Sequence, residues 1–173
     1  DVPGRRVAGT VTHSVAPLND GVRYVEFDAI GMTISSVTVA KKPVPFDYDG
    51  AKLRIDIGEG RKRGHEFAIG ITYEAAPRIG MYFIAPDEAY PEKPVQVWTQ
   101  CQDEDTRYWL PCFDHPSEKA TSEMIATVPG LGIAIPLLFM NQGLTALSNG
   151  ITQILDEQSQ VLLADQLAQS TRS

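Results

Sequence analysis

Cysteine and histidine are scarce in this chain of 173 residues, which contains two cysteines and three histidines. Two cysteines are too few for a disulfide framework or for a zinc site built of cysteines alone. We therefore predict that Cys101 and Cys112 are free thiols. Free thiols are typical of a reducing compartment, so the expected location of the protein is the cytoplasm.

Long apolar runs and an excess of positive charge are also missing. The longest apolar run, residues 131–140, is about half the length of a membrane-spanning helix, which needs roughly 20 residues. The opening segment DVPGRRVAG has no apolar signal core. Fifteen Lys and Arg stand against 22 Asp and Glu, so the formal net charge is −7. Such a chain repels polyanions on average, and we expect neither a nucleic acid nor a membrane as partner.

Much of the first half of the chain alternates between apolar and polar side chains, the pattern of half-buried strands. The alternation covers Val7–Val15, residues 52–57 and residues 67–73. The segment 22–39 is rich in β-branched residues, with Gly31 as a turn or bulge. Short strands with almost no helical period predict an all-β protein built of antiparallel sheets.

Turn signals separate these strands. The pair Asp49-Gly50 stands between two extended runs and predicts a β-hairpin. The basic segment GEGRKRG (58–64) is interpreted as a solvated turn. Residues 75–100 carry repeated prolines, which exclude a helix and predict a loop with short extended pieces.

The remainder of the chain has three further features. Residues 103–109 are predicted to form one helical turn, and residues 119–128 a strand. Over residues 151–173, Ile and Leu recur at roughly helical spacing, which predicts an amphipathic C-terminal helix.

No complete catalytic or metal-binding motif is found. His65-Glu66 opens like the zinc motif H-E-x-x-H, but the position of the second histidine holds Ile69. Cys101 or Cys112 with His115 is the one thiol–imidazole pairing to consider, and nothing in the spacing brings them together. We therefore expect no catalytic residue, metal ligand or cofactor within this chain.

A dense series of motifs fills residues 80–129. In order, they are G-x-Y-F from Gly80, W-T-Q from Trp98, a single arginine at Arg107, P-C-F-D-x-P from Pro111 and K-A-T from Lys119. This series resembles the N-terminal domain of zinc aminopeptidases of the aminopeptidase N and leukotriene A4 hydrolase family, which are gluzincin metallopeptidases. The upstream strands fit the same family, so the resemblance covers residues 7–130.

The resemblance implies an all-β, saddle-like antiparallel sheet or sandwich domain over residues 1–129, without the family's usual first strand. In this family the zinc lies in a separate catalytic domain with the motifs G-x-M-E-N and H-E-x-x-H, and neither motif occurs here. The implied function is that of a substrate-anchoring domain of a zinc metallo-aminopeptidase, inactive alone. Its implied partners are the N-terminus of a peptide and the catalytic metallopeptidase domain.

The resemblance also assigns two substrate-binding residues by their place in the motif series. Gln100 corresponds to the glutamine that lines the pocket for the first substrate side chain. Gln102 corresponds to the residue, Glu or Gln among relatives, that receives the free α-amino group of the substrate. An amide oxygen can accept hydrogen bonds from an ammonium group, but it adds no full countercharge. Gln102 therefore implies weaker amine capture than a glutamate would give.

The C-terminal part departs from the family. Residues 130–142 form an apolar insertion before the segment GLTALSNG (143–150), which fits the family again, whereas residues 151–173 do not. Unpaired sheet edges and the apolar run favour self-association. Two alternatives to the aminopeptidase domain stay open: a stand-alone, non-catalytic binding module derived from it, and an independent enzyme that uses cysteine, histidine or carboxylate side chains.

Overall fold

A computed structural model describes residues 1–117, 120–127 and 134–139. Over these residues the chain forms strands and one short 3-10 helix, Thr106–Tyr108, but no α-helix, so the all-β prediction is confirmed. None of the described segments contains a helix long and apolar enough to span a membrane. The predicted helix over residues 151–173 lies outside the described residues. The strands are β1 (Val7–Val15), β2 (Val22–Asp28), β3 (Met32–Val39), β4 (Lys42–Pro43), β5 (Phe46–Tyr48), β6 (Lys52–Arg61), β7 (Phe67–Ala75), β8 (Met81–Ile84), β9 (Gln96–Thr99), β10 (Ser122–Thr127) and β11 (Ala134–Phe139).

Two antiparallel sheets form the body of the first compact unit, Asp1–Glu118. One sheet has the strand order β1-β7-β3-β4, and the other has the order β2-β6-β5. Both sheets contribute to one hydrophobic core, in which Leu53, Ile55, Ile69 and Ile71 have no exposed surface. The core therefore holds the two sheets together through the hydrophobic effect.

The alternation in the sequence predicts which side chains enter this core. On β6, Leu53 and Ile55 are buried while Lys52 and Arg54 are exposed. The hairpin predicted at Asp49-Gly50 joins β5 to β6, and the Asp49 carboxylate accepts the backbone N–H of Lys52 at 2.7 Å. Both predictions are confirmed.

The predicted turn over residues 58–64 is partly wrong. β6 continues to Arg61, which pairs with Val22 on β2. The register between these strands shifts near Val22, and Gly58 and Gly60 both have φ of +80°. Glycine accommodates such irregular strand backbone without strain, so the strand extends through the first half of the basic segment.

The second half of the unit is organised around the hairpin of β8 and β9. These strands form a two-stranded antiparallel sheet, as the interpretation of extended pieces within a loop predicts. Tyr82 and Trp98 face each other across it, and their rings stack with centroids 4.3 Å apart. The chain leaves β9 at Thr99 and enters directly the segment that holds the two predicted substrate-binding glutamines.

A second compact unit spans Lys119–Ser173. Within its described part, β10 pairs with β11 in antiparallel register, with Ser122 opposite Phe139. β10 confirms the strand predicted over residues 119–128. β11 lies within the segment interpreted as an apolar insertion.

Candidate functional site

The two predicted substrate-binding residues lie on one short loop after β9. We define the anchoring loop as residues 100–105. Gln100 and Gln102 are both exposed, whereas Cys101 between them is only 4% exposed. The Gln102–Asp103 peptide bond is cis. With Cys101 buried between them, the two amide side chains are presented to solvent.

The first half of the anchoring loop is hydrogen-bonded to Gly80, the residue before β8. The backbone N–H of Gln100 donates to the Gly80 carbonyl oxygen at 3.0 Å. The Cys101 thiol points to the same carbonyl at 3.9 Å, and the indole Nε1 of Trp109 donates to the Cys101 sulfur at 3.4 Å. Trp109 is 2% exposed, so this half of the loop rests on a buried aromatic ring.

The second half is held by Arg107, whose side chain is 20% exposed. Its Nη2 donates to Glu104 Oε2 at 2.6 Å and to the Asp114 carbonyl at 2.7 Å. Its Nε and its backbone N–H both donate to Asp114 Oδ2, at 3.3 and 3.0 Å. One guanidinium group thus joins the loop to the segment that carries the P-C-F-D-x-P motif.

Asp28, at the end of β2, connects this network to the body of the domain. Its carboxylate accepts a hydrogen bond from Lys52 Nζ at 2.6 Å and one from the Asp114 backbone N–H at 3.2 Å. Its backbone forms a two-way bridge with Cys112, at 2.7 and 3.0 Å. Burial acts to raise the pKa of Asp28, but the Lys52 hydrogen bond, the Asp114 N–H and the charge of Arg107 outweigh it and lower the pKa.

Both thiols are buried and unbridged, which confirms the prediction of free cysteines. Burial raises the pKa of Cys101 and, more strongly, that of Cys112. His115 is exposed and its Nδ1 bonds to Ser117 Oγ at 2.6 Å. Across the described residues no hydrogen bond joins His115 to either thiol.

His13 packs within the body of the domain. His13 on β1 lies 2.9 Å from the Pro111 carbonyl oxygen through Nε2 and stacks on Phe27 at 4.5 Å between ring centroids. Burial lowers the pKa of His13, although the bond to Pro111 opposes this shift. Within the part of the chain that the structure describes, no three His, Cys, Asp or Glu side chains are placed to bind a metal ion.

The sequence analysis did not predict the hydrogen bonds and ion pairs that surround the anchoring loop. Arg107 and Asp114 belong to the motif series, which is a signal of importance but not of their contact. Asp28 lies 86 residues before Asp114, and no local pattern connects them. The structure shows that much of the motif series holds the anchoring loop to the two sheets.

Comparison with known proteins gives consistent results for family and fold. Residues 2–136 match the family model described as the peptidase M1 N-terminal domain. Leukotriene A-4 hydrolase from Xenopus laevis is 25% identical over 136 residues, which cover 75% of this chain and 22% of that protein. Aminopeptidase B from Mus musculus is 29% identical over 85 residues, covering 49% of this chain and 13% of that protein. The chain thus spans 13% to 22% of the length of these relatives.

Two solved structures share the fold. One is the structure of yeast LTA4 hydrolase in complex with bestatin, with a TM-score of 0.61, 16% identity, and coverage of 83% of this chain and 24% of that chain. The other is an M1 zinc metallopeptidase mutant from Deinococcus radiodurans bound to a Tyr-Ser-Ala substrate. Its TM-score is 0.58 at 18% identity, covering 80% of this chain and 35% of that chain.

Proposed function

This chain belongs to the peptidase M1 N-terminal domain family, and we propose that it is the substrate-anchoring domain of a zinc metallo-aminopeptidase. In this proposal the full-length enzyme removes N-terminal residues from peptides. The zinc, which polarises the scissile carbonyl and activates water, belongs to a catalytic domain beyond this sequence. The chain alone hydrolyses nothing, and its partners are that domain and the peptide N-terminus. Its unbridged thiols favour a cytoplasmic location.

The observation that carries the proposal is the construction of the anchoring loop. Gln100 and Gln102 are exposed, and the backbone between and beside them is fixed by Gly80, Trp109 and Arg107. A loop that is ordered before its ligand arrives loses less conformational entropy on binding. The loop is thus suited to present polar side chains to a ligand rather than merely to connect strands.

The chemistry of the two glutamines fits the amino end of a peptide. The Gln102 amide oxygen accepts a hydrogen bond from the α-ammonium group, and a charge-assisted bond of this kind contributes about 1.5–3 kcal/mol when well aligned. Gln100 lies beside the first substrate side chain. The two residues together define where the N-terminus of the substrate stops.

The test joins this chain to the catalytic domain of a close relative and measures KM. Gln102→Ala should raise KM at least about 10-fold for a peptide with a free α-amino group, since about 1.5–3 kcal/mol is lost. The otherwise identical peptide that lacks the amine should show no change. Gln96→Ala is the matched control, because Gln96 is an exposed glutamine at the start of β9. Equal effects on both peptides, or no effect on either, contradict the proposal.

A second candidate is a stand-alone, non-catalytic binding module derived from the same domain. It is favoured by the end of the family match at residue 136 and by the unmatched segment 151–173. The gene sequence downstream of Ser173 separates the two candidates. A continuing reading frame with G-x-M-E-N and H-E-x-x-H supports the aminopeptidase, whereas an immediate stop codon supports the module.

A further inference from the structure

We propose that Arg107 is the positioning residue for Gln102: its guanidinium group ties Glu104, on the anchoring loop, to Asp114 and Asp28 in the body of the domain. Arg107 does not touch the substrate in this proposal. It acts by holding the backbone from which Gln102 projects. The inference rests on the proposed function, because Gln102 needs positioning only if it binds the substrate amine.

Gln102 depends on its backbone for its placement. Its side chain is exposed and has no hydrogen bond to any other residue that the structure describes. Two clamps flank it: the bond from Gln100 N–H to Gly80 on one side, at 3.0 Å, and the Glu104–Arg107 pair on the other, at 2.6 Å. Release of the Glu104–Arg107 pair would remove the side-chain support on the C-terminal side of Gln102.

Arg107 can hold Glu104 because Arg107 is itself immobilised. It makes three hydrogen bonds to Asp114 through its backbone N–H, Nε and Nη2, at 3.0, 3.3 and 2.7 Å. Its carbonyl oxygen accepts the N–H of Ile30 at 2.8 Å, and its Nη1 lies 3.8 Å from Asp28 Oδ1. Hydrogen bonds between charged groups that are partly shielded from water are stronger than neutral ones, so this clamp is rigid.

The fork shape of arginine is what the network uses. Nε and Nη2 point to Asp114 while the second proton of Nη2 reaches Glu104. Lysine has a single nitrogen at the end of its side chain and cannot make this set of contacts, although it keeps the charge. Arg107→Lys therefore keeps a positive charge beside Asp114 and Asp28 but breaks the two-sided set of contacts that joins Asp114 to Glu104.

The first test uses the 173-residue chain and measures amide hydrogen exchange. The Asp105 N–H, which donates to the Cys101 carbonyl at 3.4 Å, reports on closure of the anchoring loop. Arg107→Lys should speed its exchange about 10-fold, while amides of the central strand β6 stay protected. Glu104→Ala, at a side chain that is 44% exposed, removes the acceptor of the same clamp with less risk to folding and should act in the same direction. Unchanged Asp105 exchange in both variants overturns the proposal.

The second test is a double-mutant cycle in the chain joined to a relative's catalytic domain. Arg107→Lys should raise KM for the free-amino peptide about 10-fold, change kcat by less than about 2-fold, and leave the peptide without an amine unaffected. In a Gln102→Ala background, Arg107→Lys should add no further increase in KM. Arg54→Lys is the control, since Arg54 pairs with Glu26 on the β2–β6 sheet.

The outcomes separate positioning from a structural role and from failure of the function itself. An additive effect in the cycle, or an equal loss of kcat on both peptides, overturns the positioning claim and leaves the proposed function standing. If Gln102→Ala alone leaves the KM of the free-amino peptide unchanged, the proposed function fails and the positioning claim falls with it. Only a non-additive rise in KM, specific to the free amine, supports both.

Discussion

Gly80 and Asp105 lie so close that a Cβ atom added to Gly80 would stand 2.1 Å from the Asp105 carbonyl oxygen. Gly80 also has φ of +80°, a region that L side chains rarely adopt. Two separate physical reasons thus require glycine at this position. The close approach of the Asp105 carbonyl oxygen means that the start of the β8–β9 hairpin packs directly, backbone to backbone, against the end of the anchoring loop.

Gly80→Ala should lower the free energy of unfolding by about 3 kcal/mol, because the strain of a positive φ adds to the clash with Asp105. Gly50→Ala is the matched control: its φ is +93°, but a Cβ there meets nothing within 4 Å. It should cost about 1 kcal/mol, from strain alone. Urea unfolding followed by tryptophan fluorescence measures both, and equal losses would refute the contact argument.

Asp28→Asn should weaken the domain at neutral pH and not at low pH. The pKa of Asp28 is lowered on folding, so its ionised form contributes stability above the unfolded pKa, about 3.9, and this contribution is lost as pH falls through the folded pKa. The variant should lose about 2 kcal/mol at pH 7 because hydrogen bonds to a charged group are lost. The difference from the parent should shrink as the pH falls below about 4.

The control for Asp28 is Asp47→Asn, on the exposed side of β5, where no hydrogen bond or ion pair of the carboxylate is found within the described residues. Melting temperatures between pH 7 and pH 3 would be measured for both variants. A constant gap between parent and Asp28→Asn over this range would show that the carboxylate charge does not stabilise the domain.

The two thiols should be titratable only after unfolding. Cys101 and Cys112 are buried, and burial raises the pKa of each, so little reactive thiolate is present in the native state. Titration with a disulfide reagent, without reductant, should find almost no fast reaction in the native protein and two thiols in the denatured one. A denatured sample without free thiols would prove a bridge instead.

The isolated chain should associate at high concentration. The β8–β9 sheet has two strands and no further partner among the described residues, and unpaired edges promote pairing between chains. Leu18 and Ile125 are also 81% and 68% exposed. Light scattering across a concentration series should show a rising mean mass, and a monodisperse monomer at every concentration would count against the prediction.

Strand positions in the body of the domain were predictable from the sequence, because the cause is local. Each residue pair such as Leu53 and Arg54 carries its own preference for core or solvent, and Asp49-Gly50 encodes its turn in two residues. The end of β6 was not predictable. Gly58 and Gly60 are typical of turns, and only the pairing of Arg61 with Val22 shows that the strand continues.

The candidate site also has a part that was predictable from the sequence and a part that was not. Gln100 and Gln102 were identified from the motif series, and the structure places both on one exposed loop. The hydrogen bonds that hold their loop in place were not predictable. Asp28 and Asp114 meet only because the fold brings β2 and a distant loop together. Likewise, Gly31 is the turn that the sequence predicts, yet the strands beside it, β2 and β3, belong to different sheets.

The most direct test of amine capture by Gln102 is the KM of Gln102→Glu in the chain joined to a relative's catalytic domain. A carboxylate adds a full countercharge to the α-ammonium group, so KM for a free-amino peptide should fall about 10-fold. The gain should fade above about pH 8, where the α-amino group loses its proton. The same peptide without its amine should keep its KM. An unchanged KM for the free-amino peptide, or an equal shift for both peptides, would contradict the account.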